Sequence, residues 1–143
     1  MDSSGIKLHY DIDGSNFTIA GQASSNIKKV LKQLGLDPAL IRRAAISMYE
    51  GEINTIIHGK GGTADIYITP GQIRIVFKDH GPGIADIEKA MQEGFSTASA
   101  EAREMGFGAG MGLPNMKKYA DTLTIESTVG EGTTVELIMN IQS

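Results

Sequence analysis

Glu50, Asn54 and His58 recur at intervals of four residues. On an α-helix that spacing stacks the three polar side chains on one stripe, within reach of each other. Such a stripe can serve a bound group, or it can be a solvated helix face with an interactive pair, and the spacing alone does not choose between them. The context adds weight, because the chain continues as Ile56-Ile57-His58-Gly59 and carries Gly51 inside the same run. A glycine in a helix interior costs about 1 kcal/mol relative to alanine, so close approach of a neighbour is expected there. Glu52 is the competing carboxylate, but two residues from Asn54 places it toward the opposite side of the helix, and it is set aside.

Three further groups carry potential chemistry. Asp79-His80-Gly81-Pro82-Gly83-Ile84 follows an apolar strand. It reads either as a Gly-Pro turn or as a site where glycines admit backbone torsions or contacts that a Cβ would obstruct. A carboxylate at such a strand end is well placed to accept a hydrogen bond from the exocyclic amine of a purine held between sheet and helices. Gly106-Phe107-Gly108-Ala109-Gly110-Met111-Gly112-Leu113 precedes a helix, so free backbone N–H groups and the helix start could face an anion such as phosphate. A flexible hinge is a compatible reading of the same glycines. Thr133, within Gly130-Glu131-Gly132-Thr133, shares a strand face with Val135, Leu137, Met139 and Ile141. A hydroxyl on that apolar face needs a partner, either backbone or ligand.

These groups have to be positioned by regular elements. Ile6 to Ala20 alternates polar and apolar residues around Asp13-Gly14-Ser15-Asn16, which predicts an opening strand or hairpin. Gln22 to Gly35 has Ile27, Val30, Leu31 and Leu34 at helical spacing, with Ser24 or Ser25 to cap it and Gly35 to end it. Asp37 as N-cap and Pro38 at the first position open a longer helix, whose buried stripe is Leu40, Ile41, Ala44, Ala45, Met48, Ile53, Ile56 and Ile57. Gly59 to Gly62 end that helix. Ala64–Ile68 and Ile73–Phe77 are strands joined by Thr69-Pro70-Gly71-Gln72. A short helix over 86–92, a mobile loop over 93–105 and a helix from Met111 to Tyr119 follow. Leu123–Ser127 and Thr133–Ile141 close the chain as strands. The expected class is α+β, a two-layer sandwich with helices on one face of a mixed, mostly antiparallel sheet, formed by one domain over residues 1–143.

Composition removes other classes of function. Thirteen Lys and Arg against 17 Asp and Glu give a net charge of −4, without the basic excess of a phosphate-backbone binder, so no nucleic-acid partner is expected. No cysteine is present, which excludes thiolate nucleophiles and Cys-ligated zinc and permits a reducing compartment. The three histidines show no close metal-ligand spacing. No apolar window approaches the roughly 18 residues of a membrane span, and a cytoplasmic location without membrane attachment is expected. G-x-x-x-x-G-K-[ST] and G-x-G-x-x-G are both absent, so neither a P-loop nor a dinucleotide or protein-kinase glycine loop is supported.

Taken in order, E-x-x-x-N at Glu50 and Asn54, D-x-G-x-G-I at Asp79 to Ile84, a polar loop ending in glycines, and G-x-G-T at Gly130 to Thr133 resemble the ATP-binding domain shared by gyrase, Hsp90, sensor histidine kinases and MutL. The likeness covers about Ala44 to Ile141. Within it, the stretch from Asp79 to Asp121 is most similar to the anti-sigma-factor and switch serine kinases of bacterial partner-switching modules. The resemblance implies a Bergerat-type fold, with ATP and Mg²⁺ as the bound pair. It implies Glu50 as the general base or water-polarising carboxylate, Asn54 as the Mg²⁺ ligand, Asp79 as the direct adenine partner and Thr133 as a helper through water. Gly81, Gly83 and Ile84 would border the base, and His58 would complete the helix stripe. Gly108, Ala109, Gly110, Met111, Gly112 and Leu113 would line the phosphates, with Ser96, Thr97 and Arg103 as lid residues. The segment from Ser99 to Met105 looks longer than its counterpart in the switch kinase. The implied substrate is a small antagonist domain of the sulfate-transporter-and-anti-sigma-antagonist (STAS) type, with a sigma factor, a phosphatase or a second copy of the chain as further partners. The alternative is a nucleotide-gated binding module that transfers nothing. A histidine-kinase fragment is disfavoured, because no segment reads as long dimerisation helices and His9 sits in a strand pattern.

Overall fold

The computed structural model describes residues 5–13, 21–57, 61–84 and 112–141. Its strands are β1 (Ile6–Asp13), β2 (Gly61–Ile68), β3 (Gln72–Asp79), β4 (Thr122–Thr128) and β5 (Gly132–Asn140), and its helices are α1 (Gln22–Gln33), α2 (Pro38–Ile57) and α3 (Gly112–Tyr119). The strands form one sheet in the order β1-β2-β3-β5-β4. All four pairings are antiparallel, so among the described residues the sheet contains no parallel pair, where a mixed sheet was expected.

Period-two alternation decides which face is buried. Ala64, Ile66 and Ile68 on β2, Ile73, Ile75 and Phe77 on β3, and Val135, Leu137 and Met139 on β5 all enter one core. Ile27 and Leu31 of α1, Leu40, Ile41, Ala44, Met48 and Ile56 of α2, and Met116 of α3 cover them. Of the predicted stripe of α2, Leu40, Ile41, Ala44, Met48 and Ile56 pack in this core and Ile53 is buried, Ala45 stays half-buried, and the Ile57 side chain lies outside the described residues. The other sheet face is mostly polar, with Val76 buried on it. There Arg74 Nη2 lies 2.6 Å from Glu136 Oε2, and Tyr67 has Lys7 and Arg74 at 5.4 and 5.1 Å from its ring centre.

Local chemistry sets the ends of the elements. Asp37 Oδ2 accepts from the amides of Ala39 and Leu40 at 3.1 and 3.3 Å, which makes it the N-cap of α2. The end of α1 is a Schellman turn: Gly35, at φ 73, donates to Lys32 O, and Leu36 donates to Leu31 O. The start of α1 departs from expectation. Neither Ser24 nor Ser25 caps it; the N-cap is Gly21 at φ 96, with no side-chain cap of its own. The amides of Ala23 and Ser24 instead donate to the two carboxylate oxygens of Glu52, each at 3.3 Å. A carboxylate from a neighbouring helix thus satisfies the orphan donors and meets the positive end of the helix dipole. Thr69 N donates to Gln72 O at 3.0 Å, closing the predicted β2–β3 turn. The second half of the expected opening hairpin and the helix over 86–92 lie outside the described residues.

Candidate nucleotide site

Glu50 and Asn54 lie one turn apart on α2, both part-exposed. Burial pushes the Glu50 carboxyl above its ordinary value, and a side-chain hydrogen bond from Asn115 on α3 acts in the opposite direction. The sequence reading did not single out Asn115. Nothing in its local pattern marks it, because only the packing of α3 on α2 brings it to Glu50. Glu52 points elsewhere, as its spacing predicted: only 4% exposed, it is committed to the start of α1, and burial raises its carboxyl against the backbone N–H groups that favour the ion.

Gly51 has a definite purpose. A Cβ at this position would overlap the ring of Phe77 on β3. The close approach expected at Gly51 is therefore made to a core aromatic, and it lays the Glu50–Asn54 turn of α2 over the stretch of β3 that ends in Asp79.

Asp79 and Thr133 are register partners across β3 and β5, so their side chains emerge side by side on the helix-facing side. Asp79 Oδ1 accepts from Gly81 N at 2.9 Å, and among the described residues no donor reaches its second carboxylate oxygen. Thr133 is 6% exposed and its hydroxyl lies 2.9 Å from that of Ser127 on β4. Ser127 is a second residue that the sequence reading missed. Its place as the register partner of Thr133 depends on the pairing of β4 with β5.

The glycines of D-x-G-x-G-I seat the loop against protein. Gly83 has φ 79, and a Cβ on it would come 2.5 Å from Thr128 O. Gly130 N donates to Pro82 O at 2.8 Å, and Ile84 N donates to Ser127 Oγ at 2.7 Å. On either side of Asp79, a Cβ on Gly62 would overlap Lys78 O, and one on Gly132 would overlap Asp79 O. The backbone around Asp79 is thus closely packed, and the carboxylate is tied to the loop through Gly81 N.

Gly112 and Leu113 form the first turn of α3. His58, Ser96, Thr97, Arg103, Gly108, Ala109, Gly110 and Met111 lie outside the described residues. Among the described residues, no three His, Cys, Asp or Glu side chains gather as a metal site. The Asn54 side chain carries a neutral oxygen donor, the kind of ligand a hard cation such as Mg²⁺ accepts when its remaining ligands come from phosphate and water. No described helix is long and apolar enough to cross a membrane.

A helix carrying a carboxylate and a carboxamide thus lies over an antiparallel sheet whose central strand ends in Asp79. Residues 31–143 match the family model of histidine kinase-, DNA gyrase B- and HSP90-like ATPases, and the chain belongs to that family. It is 39% identical over 137 residues to the anti-sigma F factor of Thermoanaerobacter sp. (strain X514), covering 90% of this chain and 92% of that one. It is 31% identical over 115 residues to the serine/threonine-protein kinase RsbT of Bacillus subtilis (strain 168), covering 78% and 80%. The fold matches that in the crystal structure of the RsbU and RsbW domains of Rv1364c from Mycobacterium tuberculosis, with TM-score 0.66, 18% identity, and coverage of 95% of this chain and 32% of that one.

Proposed function

We propose that this chain is an ATP-dependent serine/threonine protein kinase and regulatory binding protein that phosphorylates a STAS-type antagonist domain. The observation that carries the reading is the close approach of Gly51 to Phe77, which lays the Glu50–Asn54 turn over the strand whose end pairs Asp79 with Thr133. Asp79 accepts from the exocyclic amine of adenine through Oδ2, and Thr133 supports the same edge. Asn54 would hold Mg²⁺, which when bound neutralises phosphate charge. The acceptor hydroxyl oxygen bonds to the γ-phosphorus as the bond from that phosphorus to the β–γ bridging oxygen breaks. ADP leaves, and the hydroxyl proton passes to Glu50. A carboxylate whose proton affinity is raised by burial is a better proton acceptor than a fully solvated one.

Similarity to proteins named anti-sigma factors supports a second role, in which nucleotide occupancy selects a bound partner. A sigma factor, a phosphatase or a second copy of the chain are the candidates. Glu50→Gln separates catalysis from binding. Transfer to a STAS acceptor is expected to fall by at least a hundredfold, while ATP affinity stays within a few-fold. Undiminished transfer removes Glu50 from this role, and ATP binding with no labelled acceptor in the parent protein favours a binding module without kinase activity.

A further inference from the structure

The hydroxyl of Ser127 carries one proton and two lone pairs, and three groups lie within its reach. They are the amide of Ile84 at 2.7 Å, the carbonyl oxygen of Gly132 at 3.1 Å and the hydroxyl of Thr133 at 2.9 Å. Two of the roles are dictated by the backbone, since an amide only donates and a carbonyl only accepts. All three contacts are hydrogen bonds at once only when Ser127 gives its proton to Gly132 O and one lone pair to Ile84 N–H. Only a lone pair remains for Thr133, so Thr133 must donate. With its proton held by Ser127, Thr133 presents lone pairs alone to the space beside Asp79. Asp79, as a carboxylate, also only accepts. Its Oδ1 is occupied by Gly81 N–H. This end of the sheet is thus edged by acceptors, which match an amino group with two N–H bonds and oppose an oxo group in the same place.

We propose that Ser127 is a positioning residue that orients the Thr133 hydroxyl as an acceptor and thereby makes the site select amino-purine over oxo-purine nucleotides. The proposal rests on the reading above, that Asp79 and Thr133 receive the base. Ser127 does not touch the nucleotide; it acts through Thr133. The same oxygen also holds Ile84, so the seat of the D-x-G-x-G-I loop and the orientation of Thr133 depend on one atom.

Calorimetric titration with ATP and with inosine triphosphate, both with saturating Mg²⁺, tests this on the full chain. The parent protein is expected to bind ATP more tightly. In Ser127→Ala the Thr133 proton is free to turn toward the base, so ATP weakens more than inosine triphosphate and the preference shrinks by roughly fivefold, the worth of about one neutral hydrogen bond. Ser127→Thr, which keeps the hydroxyl, retains the preference. Ser127→Ala with the parental ratio, or with both nucleotides weakened by one factor, overturns the proposal. Should Ser127→Ala not fold, Thr133→Val is expected to lose the same preference, and an unchanged ratio there is equally fatal. A parent protein giving no heat with either nucleotide overturns the adenine-site reading itself, a separate failure visible in the first titration.

Discussion

Gly51 of α2 and Phe77 of β3 touch with no room for a side chain between them: a Cβ on the glycine would overlap Cε2 of the aromatic ring. Phe77 is 2% exposed and part of the main core. The contact joins the layer that carries Glu50 and Asn54 to the strand that carries Asp79, so the spacing of the site depends on a residue with no chemistry of its own.

Gly51→Ala is expected to destabilise the protein by about 1–3 kcal/mol despite the better helix propensity of alanine, because a buried ring has to move. Thermal denaturation measures it. Adding Phe77→Leu should recover part of the loss, since the two positions share one contact. A Gly51→Ala protein as stable as the parent would contradict the packing described here.

Glu50 sets the expected pH dependence of transfer. Burial holds its carboxyl above the ordinary 4.5, and the Asn115 hydrogen bond moderates that rise by favouring the ion. Phosphoryl transfer needs the ionised form, so activity should be lost on acidification at a pH above the ordinary carboxylate range. Asn115→Ala removes the group that favours the ion, and the acid limb of the rate profile should move to still higher pH. An acid limb that stays in place in Asn115→Ala would show that the amide does not tune this carboxylate.

Asp121 joins three elements. Its Oδ2 accepts from Asn140 N at 2.7 Å, and its Oδ1 lies 3.2 Å from Arg43 Nη2, while Arg43 Nε donates to Tyr119 O at 2.9 Å. The Asn140 amide first, and Arg43 after it, hold the carboxyl below its ordinary 3.8. A depressed carboxyl stabilises the fold above its unfolded value, and that contribution is lost as pH falls through the folded value. Asp121→Asn should therefore lower Tm by a few degrees at neutral pH, with the gap closing below pH 3.8. A gap of constant size across that range would rule out the charge as its source.

The groups that were legible from sequence are those whose meaning is local. Asp37 before Pro38, Gly35 after α1 and the alternation of β5 each act through neighbours a few residues away, and each is found where its pattern placed it. Asp79 and Thr133 were legible as types at strand ends. That they face each other is a matter of register. The cap of α1 was misassigned to a local serine because its actual partner, Glu52, lies 29 residues from Ala23. A carboxylate set aside for facing away from Asn54 is buried for that very reason, since the face it occupies meets α1.

By itself the sequence determined the elements, their buried faces and the chemical types available at the site, because periodicity, capping and turn formation depend on contacts within a few residues. Only the tertiary structure decided which polar groups meet: Asn115 with Glu50, Ser127 with Thr133, and Glu52 with the start of α1. Helix packing and strand register place these partners, and both arise from apolar burial summed over the whole core rather than from any one residue's pattern.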